Sequence, residues 1–262
     1  MKNIIKIVIL IFSIFSFEVK GQDKKLQGVW ISTANDVIVI KEKGNNFNIL
    51  STANREEQLK VNVKKDTISF YTQYTKLGSE KSYLEKYDFY ISKLTDRRLA
   101  LIPTSILSRE FFGNKKIIFT KQEYNVDKTI LFDKLVYHTT NCLGTCPKID
   151  LEIDKDGKVY LNRDIIDNKE KSGVFEGQLS SDAFDKLIDI LKTSNVKSWS
   201  FPEKDGYDGA VTTLIMYYNG ERKYFKSMFP PTISHQLINF LYNLEDSKMN
   251  LVRINKSRSF EY

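Results

Sequence analysis

The chain has 262 residues, of which 41% are hydrophobic and 13% are aromatic. This length exceeds that of a typical single domain, and the composition supports packed cores, so we expect two folded domains. The formal net charge is +7, but Lys and Arg are interspersed with Asp and Glu along the whole chain. This interspersion argues against a dedicated nucleic-acid-binding arm, and we expect no nucleic-acid partner.

Residues 1–21 have the pattern of a signal peptide. Lys2 and Lys6 form a basic start, an apolar run extends from Ile7 to Phe17, and Val19-Lys20-Gly21 resembles a cleavage site. The run is shorter than the roughly 20 residues that span a bilayer, and no later segment comes close. We therefore expect no transmembrane segment after cleavage and an extracytoplasmic protein, periplasmic or secreted.

Residues 22–121 contain a succession of short β-like runs separated by polar turns. The runs are Gly28–Ser32, Val37–Lys41, Phe47–Ser51, Gln58–Val63, Thr67–Tyr74, Tyr83–Leu94, Arg98–Pro103 and Lys116–Lys121. Consecutive antiparallel strands of this kind close most economically into an up-and-down barrel, because closure removes the unpaired strand edges. The sequence therefore predicts a small antiparallel β-barrel as the N-terminal module.

The first run begins with Leu26-Gln27-Gly28-Val29-Trp30, which resembles the Gly-x-Trp opening of lipocalin-like domains. The resemblance implies a lipocalin-like barrel in which Trp30 plugs one end. The alternative is that Trp30 is an ordinary core aromatic on a first strand. A barrel of about 8 strands is nearly filled by its own side chains, which leaves little room for a small apolar ligand.

After a polar linker at residues 122–130, the pattern changes to that of an α+β domain at residues 131–248. Strand-like runs at Leu131–Thr139 and Lys148–Asp154 flank a cysteine loop, and a return strand at Lys158–Asn162 follows a hairpin turn. A helix with apolar residues at helical spacing, a second hairpin and a second helix then complete the order ββ-α-ββ-α. This order predicts an antiparallel sheet with both helices on one side.

Residues 249–262 have few apolar anchors, and we expect them to form a tail that is a frayed or edge segment.

The cysteine loop carries a second resemblance. The run Thr140-Asn141-Cys142-Leu143-Gly144-Thr145-Cys146-Pro147, followed by a strand and the Asp156-Gly157 turn, resembles a family of bacterial exported domains of unknown function with a Cys-x-Gly-x-Cys-Pro signature. The chain departs from that pattern at Leu143, where an aromatic residue is usual, and at Ile149, where a tyrosine is usual. The resemblance implies no established activity.

Cysteines four residues apart allow a disulfide, a redox-active pair, a metal site or free thiols. Cys142 and Cys146 would lie about 13 Å apart if the chain were fully extended, and a disulfide needs Cα atoms within roughly 7 Å. Gly144 supplies a permissive backbone for the required turn, and Pro147 fixes the exit toward the next strand. In an oxidising compartment we expect a structural disulfide.

The two other chemistries stay open as alternatives. A redox-active pair normally has two intervening residues and lies at a helix N-terminus, whereas this pair has three and strand-like flanks. A metal site could draw on His138, Cys142, Cys146 and Asp150, since the first three are spaced by four residues.

No phosphate-binding loop, dinucleotide fingerprint or paired metal-binding histidine motif occurs in the sequence. We therefore expect a non-catalytic binding or interaction protein with no cofactor. Its partner could be a small apolar ligand in the barrel, or another envelope protein on tyrosine-rich strands that include Tyr217 and Tyr218. The alternative is an extracytoplasmic thiol-redox or metal-dependent enzyme centred on Cys142 and Cys146.

Overall fold

The computed structural model describes residues 24–41, 47–52, 54–202, 206, 208–255 and 258–262. The chain divides into two compact units, Met1–Tyr124 and Asn125–Tyr262. The predicted signal peptide at residues 1–21 lies outside the described residues. Within the part of the chain that is described, none of the helices combines the length and the apolar character needed to cross a membrane.

The first unit is a closed antiparallel barrel of eight strands, in which each strand pairs with its neighbour in sequence. This confirms the predicted barrel. The strands are β1 (Gly28–Ser32), β2 (Val37–Ile40), β3 (Asn48–Thr52), β4 (Arg55–Lys64), β5 (Thr67–Thr75), β6 (Ser82–Leu94), β7 (Arg98–Pro103) and β8 (Ile117–Lys121).

Closure of the barrel depends on the first strand, which pairs with β2 on one side and β8 on the other. Trp30 lies opposite Ile38 on β2 and opposite Lys121 on β8. Its side chain is fully buried, and its indole Nε1 donates a hydrogen bond to the Leu26 carbonyl oxygen at 2.8 Å. Trp30 is therefore a core residue whose polar atom is satisfied, as a buried tryptophan requires.

A short helix that the sequence did not predict, α1 (Ile106–Phe112), connects β7 to β8. Ser105 caps its N-terminus, because its hydroxyl accepts a hydrogen bond from the Ser108 amide. In turn, the Ser108 hydroxyl accepts a hydrogen bond from the Ser105 amide. The helix ends at Gly113, where φ is +81°, a value that glycine adopts without strain.

The helix contributes aromatic side chains to the barrel core. Phe111 packs edge-on against Tyr87 at a ring-centroid distance of 5.5 Å, and Phe112 packs similarly against Phe89 at 5.6 Å. Phe70 and Phe119 add further buried rings to the same cluster. The described interior of the barrel is thus occupied by aromatic and aliphatic side chains.

The second unit is a seven-stranded antiparallel sheet with two α-helices, which confirms the predicted α+β class. The elements are β9 (Phe132–Thr139), β10 (Lys148–Asp154), β11 (Lys158–Asp164), β12 (Gly173–Gln178), α2 (Ser181–Thr193), β13 (Thr212–Tyr218), β14 (Glu221–Ser227), α3 (His235–Tyr242) and β15 (Val252–Arg253). The strand order in the sheet is β14-β13-β9-β10-β11-β12-β15. Five of the seven strands correspond to predicted strand-like runs, and β12 and β15 were not predicted.

The two faces of this sheet differ in chemistry. On one face, Leu151 lies opposite Tyr137 on β9 and Leu161 on β11, and all three are buried. Helix α2 lies on this side, since its Phe184 contacts Phe132 at a ring-centroid distance of 6.2 Å, and a β-bulge in β9 aligns Phe132 with Tyr218 on this face. Helix α3 packs against α2. The same registers place a row of polar residues on the opposite face, which we call the polar face. Its central members are His138, Asp150, Asn162 and Thr213.

The buried tryptophan gives a test of the barrel core. We expect Trp30→Ala to lower the free energy of unfolding of the first unit by about 3–5 kcal/mol, because it leaves a large cavity in a closed core. The measurement is urea unfolding of the full chain followed by circular dichroism. Tyr74→Ala, at an exposed side chain of the same barrel, should change stability by less than about 0.5 kcal/mol. Equal effects of the two substitutions would contradict the assignment of Trp30 to the core.

Candidate functional site

The cysteine loop connects β9 to β10 and contains the predicted disulfide. Cys142 and Cys146 are bonded through their sulfurs, with Cα atoms 5.5 Å apart. Thr139 closes the base of the loop, because its hydroxyl donates to the Pro147 carbonyl oxygen at 3.0 Å and accepts from the Ile149 amide at 3.1 Å. The disulfide therefore closes the loop, and the hydrogen bonds of Thr139 hold its base.

Gly144 is not needed for its backbone freedom, contrary to the expectation from the sequence. Its backbone does not adopt a left-handed φ, and a methyl group on its Cα would meet only Cys142 Sγ, at an ordinary contact distance of 3.6 Å. The turn thus does not require a glycine at this position. Pro147 lies at the loop exit as expected, where its carbonyl oxygen accepts the Thr139 bond.

The four residues considered as metal ligands are not assembled around a common point. The sulfurs of Cys142 and Cys146 are bonded to each other, so neither is a thiolate ligand. His138 and Asp150 instead contact each other. Among the described residues, no group of three or more His, Cys, Asp or Glu side chains is arranged to hold a metal ion.

The His138–Asp150 pair is the most deeply buried charged contact of the polar face. His138 Nδ1 lies 2.9 Å from Asp150 Oδ1, and the two side chains are only 6% and 2% exposed. The sheet positions them, because the two residues lie directly opposite each other on β9 and β10. Asn162, opposite Asp150 on β11, donates to Asp150 Oδ2 at 3.4 Å, and Lys148 Nζ lies 4.0 Å from the same oxygen.

Hydrogen bonding fixes the proton count of this pair. His138 Nε2 contacts the backbone carbonyl oxygen of Glu261 at 2.5 Å, and a carbonyl only accepts, so Nε2 carries a proton. The contact between Nδ1 and Asp150 needs a second proton, on the ring or on the carboxyl group. Either arrangement leaves the pair with no net charge, which lowers the cost of its burial.

Residues 258–262, which we call the tail segment, cover this pair. The ring of Tyr262 stacks on His138 at a centroid distance of 4.3 Å, and its hydroxyl donates to Asp150 Oδ1 at 3.4 Å. The ring of Phe260 packs on Tyr160 at 4.9 Å. The predicted tail therefore has two parts. Val252–Arg253 forms the edge strand β15, and the tail segment packs on the polar face.

Glu261 anchors the tail segment through a cluster of polar side chains. Its carboxylate accepts from the Tyr217 hydroxyl at 2.6 Å and from Arg222 Nε at 2.7 Å, and Lys134 Nζ lies 3.5 Å away. The hydrogen bond from Tyr217 and, next, that from Arg222 lower the pKa of Glu261 below its ordinary value. Burial, with the adjacent Asp150, raises the pKa of Tyr262.

The tyrosines expected to form a partner surface are placed differently. Tyr218 is only 2% exposed and lies on the helix-covered side of the sheet, so it is not a surface residue. Tyr217 lies on the polar face but is engaged by Glu261. Tyr217 and Tyr218 therefore do not form one surface, because successive residues of a strand point to opposite faces of the sheet.

The sequence suggested His138 and Asp150 only as metal ligands, and no sequence pattern pointed to the residues that cover them. Phe260, Glu261 and Tyr262 lie more than one hundred residues from His138 in the chain, so no local spacing connects them. The one available signal was the aromatic–acidic–aromatic triplet at residues 260–262, directly after the polar and basic residues 255–259.

The second unit is thus an α+β domain with a disulfide-closed loop and a buried His–Asp pair. Residues 133–246 match the family model of a domain of unknown function, DUF6438. The matched region contains the cysteine loop, His138, Asp150 and both α-helices, and it stops before the tail segment. No curated protein and no solved structure matches the chain.

The buried pair predicts strong energetic coupling. We expect His138→Ala to lower the free energy of unfolding by about 3 kcal/mol, because it leaves the Asp150 carboxyl group buried without its main partner. Asp150→Ala should have a similar effect, and the double variant should lose less than the sum of the two. The measurement is urea unfolding of all four proteins as a double-mutant cycle. Additive losses would contradict direct pairing.

The lowered pKa of Glu261 predicts acid-dependent release of the tail segment. A carboxyl group whose pKa is lowered by folding contributes stability above its unfolded pKa, and this contribution is lost as the pH falls through the lowered value. We therefore expect Glu261→Gln to lower the thermal midpoint at about pH 7, and we expect this difference to shrink as the pH falls through the lowered pKa of Glu261. A difference that stays constant with pH would show that the carboxylate charge does not hold the segment.

Proposed function

We propose that this protein is an exported, non-catalytic binding protein whose recognition surface is the polar face of the second unit. The observation that carries this proposal is the tail segment itself. It lies on the polar face through aromatic contacts with Tyr160 and His138 and through an anion contact with Arg222. Aromatic and arginine side chains are those that most often dominate recognition surfaces.

The surroundings of His138 support binding over catalysis. A histidine that activates a nucleophile needs one ring nitrogen directed at a hydroxyl or thiol while a carboxylate orients the other. Asp150 meets the second requirement, but Nε2 faces the backbone carbonyl oxygen of Glu261. With the tail segment in place, the pair therefore has the geometry of a satisfied structural contact.

The position of the cysteines also supports this proposal over a thiol enzyme. Both lie partly exposed in a loop between two strands, whereas reactive cysteine pairs usually lie at a helix N-terminus. The disulfide fits an oxidising compartment, in agreement with the signal-like pattern of residues 1–21. The aromatic packing of the barrel interior favours a protein partner on the second unit over a small apolar ligand in the first.

Replacing both cysteines tests the structural role of the disulfide. By the loop-entropy estimate, we expect Cys142→Ser/Cys146→Ser to lower the free energy of unfolding by about 2 kcal/mol, because the bond closes only a short loop. The double variant should remain folded, as measured by circular dichroism and urea unfolding.

A turnover assay distinguishes the binding proposal from its alternative. The purified mature protein should show no thiol–disulfide exchange with a reducible protein substrate and no hydrolysis of a broad ester, peptide and phosphate panel. Exchange activity that disappears in the double cysteine variant would overturn the proposal.

Fractionation of cells expressing the chain with and without residues 1–21 tests export, which should require those residues.

A further inference from the structure

The tail segment crosses the strands of the sheet and does not extend its edge. Arg258 contacts Glu152 on β10 and Tyr160 on β11, with Nη2 2.7 Å from the Glu152 carboxylate and the guanidinium 4.1 Å from the Tyr160 ring centroid. Further along, Glu261 contacts β9, β13 and β14. A segment in this direction makes no β-ladder, so it contacts the sheet through its side chains and through two backbone groups, the Arg258 amide and the Glu261 carbonyl.

Those contacts divide the polar face into three subsites. Each subsite is named for the kind of residue that it binds. The basic subsite is formed by Glu152 and Tyr160 and binds Arg258. The aromatic subsite is formed by Tyr160, His138 and Asp150 and holds Phe260 and Tyr262. The acidic subsite is formed by Lys134, Tyr217 and Arg222 and holds the Glu261 carboxylate.

The three subsites come from five different strands, β9, β10, β11, β13 and β14. They are held rigidly because each of these strands is paired within the sheet. A preorganised set of aromatic and charged subsites loses little entropy when a ligand binds, which favours affinity. The face therefore has the features of a recognition site, with the chain's own segment as the visible occupant.

We propose that the polar face binds an extended peptide segment of another protein, with a basic residue followed by an aromatic–acidic–aromatic triplet. Residues 258–262 occupy this site as an internal ligand that the partner displaces. The inference rests on the proposed binding function and names its ligand class. It also gives the tail segment a regulatory role, since the site opens only when that segment leaves.

A second copy of this chain is the weaker candidate for the displacing partner. The tail segment is tethered close to its site, because β15 pairs with β12 and the Ile254 amide donates to the Val174 carbonyl oxygen at 2.9 Å. A short tether gives the segment a high effective concentration at its own site. A second copy offers the same contacts and also loses the entropy of association. A displacing partner must therefore contribute contacts beyond those of the tail segment.

The test uses a fluorescently labelled synthetic peptide with the sequence of residues 254–262. The unsubstituted full chain should bind it weakly, because the internal segment competes for the same site. The full-length variant Phe260→Ala/Tyr262→Ala should bind it at least about tenfold more tightly, as measured by fluorescence anisotropy. Adding Arg222→Gln to that variant should weaken peptide binding about tenfold, because the acidic subsite loses a charge-assisted bond.

Two controls and one replacement variant make the result interpretable. Tyr74→Ala, in the barrel, should leave peptide affinity unchanged. A peptide in which Gln replaces the glutamate should bind the released variant less tightly. If Phe260→Ala/Tyr262→Ala does not fold, as judged by circular dichroism, the milder Glu261→Gln variant serves in its place, with an expected increase in affinity of about threefold.

Two outcomes would overturn the inference. Equal peptide affinity of the released and unsubstituted chains would show that the tail segment does not occupy a binding site. Dimers that form only when residues 258–262 are intact, detected by sedimentation, would assign the site to a second copy and exclude a different partner. The first outcome would also remove the polar face as the recognition surface, whereas the second would leave that surface in place and change only its partner. The turnover assay and the fractionation test the non-catalytic and exported parts of the proposed function independently of both.

Discussion

Successive side chains of a β-strand point to opposite faces, and in the second unit this alternation separates two chemistries. Leu135, Tyr137 and Leu151 point toward the helices, while Val136, His138 and Asp150 point away from them. The apolar face is covered by α2 and α3, as the hydrophobic effect requires. The polar face contains a buried His–Asp pair, and the tail segment packs over it. The register of two central strands thus decides which side chains meet that segment.

The regular parts of the fold were predictable because their signals are local. Eight strand-like runs separated by polar turns were visible in the first unit, and closure follows from the need to remove strand edges. The disulfide was predictable from spacing, since Cys142 and Cys146 lie close enough in sequence for the loop to bring them together. In each case the residues that define the feature are neighbours in sequence.

The features that were missed depend on short segments or distant contacts. Helix α1 has only seven residues, too few for a clear helical period, and Ser108 takes the capping position where Glu or Gln gives the usual signal. Strand β12, Gly173–Gln178, contains two glycines, which are depleted in strands. The cover over His138 joins residues far apart in the chain. Such contacts follow from tertiary packing, which single-sequence patterns do not encode.

The path of the chain before the tail segment explains how that segment can leave without unfolding the domain. Gly177 on β12 lies so close to the Met249 carbonyl oxygen that a side chain at this position would collide with it. Arg253 then covers the ring of Phe175 and donates to the Glu170 carbonyl oxygen at 2.6 Å. Backbone contacts and a buried aromatic ring thus hold residues 249–253, whereas residues 258–262 are held mainly by side chains. Release can therefore be confined to the tail segment, because its contacts are separate from those that hold β15 to the sheet.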